Sequence, residues 1–224
     1  MKKFRHESKF RINKIDELAL SHRLSKLFPR DKNASHSGEY KITSLYFDNL
    51  YDQAFFEKAD GVNKRAKYRI RYYNDDLNFI RLEKKSKINN LSQKTQVQIK
   101  KEEIENIFNK QYDFLLDHKE FHDFYLQLRN NSLKPKSIVI YQREAYAFVP
   151  GNVRITLDKN IRTTLNQLEQ FLNTKEISFP ILPEFSILEV KWDEFLPEIV
   201  KLAIRQNSAN LEAFSKYAAS RLFN

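Results

Sequence analysis

The sequence predicts an α+β protein built around an antiparallel, tunnel-like β-barrel of about eight strands with flanking helices. Three observations predict it. Polar and apolar residues alternate with a period of two along much of the chain, the signature of strands with two unlike faces. Short turns join the middle strands, which favours an antiparallel meander over parallel crossovers. Strand after strand also puts Arg, Lys and Glu on its polar face, rather than the Ser, Thr and Gln mixture common on solvated sheets. One such strand reads as an outer face in water. Six of them favour the opposite reading, because closing the sheet turns those faces into a charged tunnel.

The elements follow in order. Residues 3–12 alternate, with Arg5, Glu7, Lys9 and Arg11 opposite Phe10 and Ile12. Residues 14–28 predict a helix with Ile15, Leu18, Leu24 and Leu27 apolar and Pro29 just past its end. Residues 41–48 predict a strand and 50–59 a short helix. Residues 66–73 set Lys67, Arg69 and Arg71 against Tyr68, Ile70 and Tyr72. Residues 79–87 place Phe79, Arg81, Glu83, Lys85 and Lys87 on one side. Residues 93–100 set Lys94, Gln96 and Gln98 against Thr95, Val97 and Ile99. Helices are expected at 101–109 and 117–130, strands at 137–149, 152–158 and 185–192, and helices again at 196–206 and 211–223. The least regular stretch is 162–184, with Pro180 and Pro183 near its end. No repeat or linker divides the chain, so one domain over 1–224 is expected.

Composition narrows the chemistry. Lys and Arg number 39 against 29 Asp and Glu, a net charge of +10, which points to an anionic partner. The chain has no cysteine, which excludes disulfides, thiolate metal sites and cysteine nucleophiles. Its three glycines, Gly38, Gly61 and Gly151, are far apart. A glycine-rich phosphate loop is therefore excluded, and any phosphate site must use side chains. No window resembles a membrane span. The start, MKKFRHESKF, has no apolar stretch behind it, so no signal peptide is expected and the expected location is cytoplasmic. His118 and His122 stand at i, i+4 without a protease motif and read as a helix-surface pair. The run from Lys84 to Lys87 and the tyrosines Tyr68, Tyr72 and Tyr73 also fit a nucleic-acid groove. The strand count exceeds that of an oligonucleotide-binding barrel.

The strings SKFRI, SLYFDN, KYRIRYY, RLEKKSK, YQREAYAF, VRITLD and SILEVKW occur in that order. YFDN is followed by Arg-x-Arg, then Glu-x-Lys, Tyr-x-Arg and Leu-Glu-Val-Lys. This pattern resembles the VTC (vacuolar transporter chaperone) domain of the polyphosphate polymerases, a branch of the CYTH-like triphosphate tunnel metalloenzymes. The resemblance covers about 3 to 220. It implies a triphosphate tunnel fold and a metal-dependent transfer of the terminal phosphoryl group of ATP to inorganic polyphosphate. It implies catalytic roles for Lys9, Arg69, Arg71, Lys85, Arg143 and Arg154. It implies substrate binding by Lys94, Tyr141, Lys216 on the C-terminal helix, and Lys58, where the family's polymerases carry arginine. Lysine there keeps the charge but loses the two-pronged fork. Glu189 matches the family's metal glutamate, and Glu7 and Glu83 on inward faces are further candidate ligands for Mn²⁺ or Mg²⁺. Asp158 reads equally as a structural residue or a support for the site.

The residue types suit the chemistry. Arginines at i and i+2 point the same way about 7 Å apart and can grip successive phosphoryl groups. Carboxylate oxygen is a hard ligand for Mg²⁺ or Mn²⁺, with phosphate oxygens completing the shell. Like charges opposed on a sheet repel, so losing Arg69 or Arg71 is expected to leave the empty protein's stability intact. The superfamily's Glu-x-Glu-x-Lys signature appears only as Glu7-x-Lys9, with Arg5 in place of the first glutamate. That argues against the triphosphatase and cyclase branches. The alternatives are a metal-dependent tri- or polyphosphatase and a non-catalytic binder of polyphosphate or single-stranded nucleic acid. The expected partners are ATP and inorganic polyphosphate, with no nucleic acid. Eukaryotic members of the family are fused to membrane segments, so translocation of product would need a separate membrane partner.

Overall fold

The computed structural model describes residues 5–31, 38–88, 91–130, 132–164, 168–173, 177–206, 210–211 and 214–222. In chain order it contains β1 (His6–Asn13), α1 (Lys14–Leu27), β2 (Glu39–Asp48), α2 (Gln53–Ala59), β3 (Lys64–Tyr73), β4 (Asp76–Ile88), β5 (Leu91–Ile99) and α3 (Lys101–Phe108). Two 3₁₀ turns lead into α4 (His122–Arg129), and then come β6 (Lys134–Phe148), β7 (Val153–Thr163), α5 (Leu168–Phe171), β8 (Phe179–Pro180) and β9 (Phe185–Trp192). The chain continues through α6 (Glu198–Ala203), β10 (Asn210–Leu211) and α7 (Lys216–Arg221). The predicted helix at 117–130 is thus partly 3₁₀. The strand expected to stop at 158 runs on to Thr163, and the irregular 162–184 stretch contributes β8 as a partner to β7.

One antiparallel sheet runs in the order β1-β9-β7-β6-β2-β3-β4-β5. These are the eight strands of the expected tunnel, but the ring is not strictly closed. The free edge of β1 is shared: Phe10 and Arg11 pair with Leu211 and Asn210 of β10, and Arg5, just before β1, makes an isolated bridge to Ser92 of β5. The C-terminal segment therefore takes ladder positions that closure by β5 would need. An ion pair from Lys85 to Glu7, at 2.7 Å, also spans the gap between β4 and β1.

Apolar faces sort into three clusters. On one outer face, Tyr68, Ile70, Tyr72, Ile80 and Leu82 pack with Ile104, Phe124 and Phe171. On the other, Leu20, Leu24 and Phe28 pack with Ile155, Leu188, Val190 and Val200. Each fully buried aliphatic or aromatic side chain contributes about 1.5–3 kcal/mol. The α1 face differs from the expected one: Leu20 and Leu24 are buried with Glu17, while Ile15 and Leu18 are exposed. Glu17 turns inward because Ser186 Oγ donates to its carboxylate and Lys14 lies 2.8 Å away. Asn13 Oδ1 caps the helix by accepting from the Asp16 amide.

The third cluster lies within the barrel. Tyr40, Ile42, Val139, Ala145, Ile161 and Ile187 pack around Tyr217 of α7. Part of the interior is therefore apolar and filled by a helix, and the charged lining does not run all round. Asp48, at the end of β2, fixes this helix. Its carboxylate accepts from the Ala54 and Phe55 amides of α2 and from Tyr217 Oη at 2.5 Å.

Candidate functional site

The inward faces enclose a cavity of about 740 Å³, lined by thirteen Lys and Arg side chains against two glutamates, Glu7 and Glu189. Alternation along β3 supplies five of its side chains: Arg65, Lys67, Arg69, Arg71 and Tyr73. Cross-strand register supplies their partners, since Arg69 faces Tyr46 on one side and Glu83 on the other.

The first group is an arginine clamp around Glu83. Arg69 Nε and Nη2 reach Glu83 Oε2 at 2.7 and 2.6 Å. Lys94 Nζ reaches Oε1 at 3.2 Å, and Arg71 Nη1 stands 3.9 Å from Oε2. Arg71 also donates to Ser44 Oγ at 2.9 Å and Tyr141 Oη at 3.1 Å. Burial pushes the Glu83 carboxyl up, but Arg69, Arg71 and Lys94 outweigh it and hold it far below the carboxylate range. Tyr46, buried at the same level, accepts from Arg69 Nη1 at 3.2 Å. Burial raises its phenol, yet Arg69, Arg71 and Lys216 bring it down to about 8.

The second group is a lysine–glutamate lattice. Lys9 Nζ stands 2.9 Å from Glu7 Oε1 and 3.2 Å from Glu189 Oε1. Lys191 holds Glu189 Oε2 at 2.8 Å, and Lys85 holds Glu7 Oε2 at 2.7 Å. Burial pushes the Glu7 carboxyl up, but Lys9, Lys85 and Lys191 together hold it at about 2. Burial lowers the Lys85 ammonium, and with Lys9 and Lys191 beside it the group falls to about 8 despite Glu7.

The third group joins the barrel to α7. Arg143 makes a two-pronged contact with Asp158 at 2.5 and 2.7 Å, and Lys216 reaches the same carboxylate at 2.5 Å. Asp158 thereby orients two cations that line the cavity. Tyr141 lies between them, its ring 5.3 Å from Arg143 Cζ and 4.9 Å from Lys216 Nζ. Arg154 donates to Tyr40 Oη at 2.9 Å and pairs with Asp31 at 2.6 Å.

The structure thus brings Lys9, Arg69, Arg71, Lys85, Lys94, Tyr141, Arg143, Arg154, Glu7, Glu189 and Lys216 to one cavity wall. Glu83 sits behind the clamp at 0% exposure, apart from the Glu7–Glu189 pair. Lys58 falls in α2, and its side chain lies outside the described residues. Sequence reasoning missed Tyr46 and Tyr40, although both share the β2 face of Ser44. Tyr68 stacks on Phe124 and Tyr72 packs at a tilt against Phe171 outside the barrel, so they offer no platform to bases.

A family model of the VTC domain matches residues 4–223. The chain belongs to the VTC domain family. Among solved structures, a Hippeastrum protein assigned as an adenylyl cyclase and found to have a dominant triphosphatase activity is 17% identical. It covers 98% of this VTC domain and 96% of its own chain at a TM-score of 0.57. A Bacillus halodurans protein assigned as an adenylate cyclase is 13% identical, over 85% of this chain and 81% of its own, at a TM-score of 0.51. At these identities the likeness is one of fold, that of the triphosphate tunnel proteins. A search of curated proteins finds no match.

Two features bear on a metal. Among the described residues, no three His, Cys, Asp or Glu side chains gather into a group that could hold an ion. Glu7 and Glu189, which approach each other, are each already engaged by lysines. The empty VTC domain therefore does not fit a resident divalent cation. No helix among the described residues is long and apolar enough to cross a membrane.

Proposed function

We propose that this VTC domain is a polyphosphate polymerase that uses ATP. The observation that carries the reading is the excess of thirteen cations over two glutamates around one cavity in a member of this family. Such a lining suits a bare phosphate chain, which carries charge along its whole length and nothing else to recognise. In the reaction, an oxygen of the acceptor's terminal phosphoryl group bonds to the γ-phosphorus of ATP. The bridging P–O bond to the β-phosphate breaks, and ADP leaves with that electron pair.

Little covalent work falls to the protein, and catalysis is positioning and charge neutralisation. Arg69, Arg71, Arg143 and Arg154 grip phosphoryl oxygens. The carboxylates behind them, Glu83, Asp158 and Asp31, fix each guanidinium before substrate arrives, so little reorganisation remains for the transfer itself. Lys9 and Lys85 neutralise charge around the transferred group, Lys94, Lys216, Tyr141 and Lys58 bind the chain, and Glu189 and Glu7 steer the lysines and would hold a divalent metal that arrives with the chain. Incubation with ATP and Mn²⁺ tests the reading. Long chains with ADP support it, orthophosphate instead of chains identifies a hydrolase, and neither product identifies a binder.

A further inference from the structure

Lys9 Nζ lies between the facing oxygens of Glu7 and Glu189, 2.9 and 3.2 Å away. That is the position a cation bridging the two carboxylates would take. The outer oxygens of the same carboxylates are held by Lys85 and Lys191. Two carboxylates against three ammonium groups leave one positive charge, while Arg143, 3.7 Å from Glu189, is offset by its own pair with Asp158. A bare divalent ion entering this lattice meets net repulsion at short range. A polyphosphate chain reverses the sign, since its oxygens are better partners for the lysines and also complete the ligand shell of the metal.

We infer that the empty protein holds no resident divalent cation: the Lys9 ammonium stands in for it between Glu7 and Glu189, and Mn²⁺ or Mg²⁺ enters only with a phosphate chain that draws this ammonium away. The inference rests on the reading of Glu7 and Glu189 as the metal carboxylates. It makes the metal–phosphate complex, rather than free nucleotide added to a metalloenzyme, the species that is bound.

The test follows the electron paramagnetic resonance signal of free aqueous Mn²⁺, without phosphate, in the parent, Lys9→Met and Lys9→Met/Glu189→Gln. The parent leaves the signal undiminished. Lys9→Met lowers it, with an affinity at least about a hundredfold above the parent's, as expected when a unit charge at ion-pair distance is removed. Adding Glu189→Gln abolishes the gain. Stoichiometric loss of signal with the parent overturns the inference, and so does a folded Lys9→Met that gains nothing. Melting curves establish folding, and Lys9→Gln replaces Lys9→Met if that variant unfolds. The carboxylate reading has its own readout. The parent enhances water-proton relaxation by Mn²⁺–tripolyphosphate, and an equal enhancement with Glu189→Gln refutes that assignment whatever Lys9 does.

Discussion

Arg69→Ala and Arg71→Ala separate a closely paired from a weakly paired cation in one lining. Repulsion alone predicts that neither loss weakens the empty protein. The geometry predicts that the two differ. Arg69 holds the fully buried Glu83 through two contacts of 2.7 and 2.6 Å. Removing one partner of a buried pair costs about 3–5 kcal/mol. Lys94 at 3.2 Å and Arg71 at 3.9 Å still compensate Glu83 in part, which lowers the expected loss to about 2–3 kcal/mol. For a chain of this length that is a Tm drop of about 5–10 °C. Arg71 bonds the neutral Ser44 and Tyr141 and is repelled by Arg69. Its loss should cost about 1 kcal/mol or less, a Tm change within about 3 °C. Differential scanning calorimetry at low salt without phosphate reads both. Equal Tm values for both variants and the parent would refute the pairing argument and restore the picture of unpaired cations. Both variants should still lose tripolyphosphate binding.

Other consequences are as direct. Tripolyphosphate at about 100 times its Kd should stabilise the parent by about 2.7 kcal/mol, a rise of about 5–10 °C in Tm; no rise would count against an anion-binding interior. Glu189→Gln should keep the fold by circular dichroism, lose metal-dependent turnover, and bind metal-free tripolyphosphate at least as tightly, because it removes a negative charge from the lining. Tyr46 has its phenol lowered to about 8 from an ordinary 10, so its phenolate stabilises the empty protein as pH rises from about 8 to 10, and that contribution is lost as pH falls through about 8. The same charge opposes a bound polyanion. In Tyr46→Phe the alkaline gain in Tm should therefore shrink, and tripolyphosphate affinity should fall less steeply above pH 8, the remainder of both effects reporting Lys85, whose ammonium titrates at about 8. Long polyphosphate should compete with ATP, whereas a single-stranded oligonucleotide of equal phosphate content at one ionic strength should compete poorly; equal competition, abolished by Tyr72→Ala, would favour an open nucleic-acid groove.

What was legible in the sequence is what period-two alternation encodes. Arg69, Arg71, Glu83, Lys85 and Lys94 share inward faces because neighbouring inward positions on a strand are two residues apart. The pairing of Lys9 with both Glu7 and Glu189 was not legible, since it depends on β1 lying beside β9, some 180 residues later in the chain. Nor was the entry of α7 into the barrel: Tyr217 is fixed by Asp48, and nothing local to either residue marks the contact. The α1 face was misread because Ile15 and Leu18 satisfy helical spacing, while the sheet selects Leu20, Leu24 and the hydrogen-bonded Glu17. Tyr46 was missed because only the register that sets it against Arg69 makes it part of the site.

The central claim, that this cationic cavity extends a phosphate chain, is tested most directly by following the γ-phosphate of ATP. With γ-labelled ATP, Mn²⁺ and the parent protein, the label should appear in acid-insoluble chains in step with ADP release, and Arg143→Ala should abolish both together. Label released as orthophosphate in step with ADP, with no chain formed, would contradict the account.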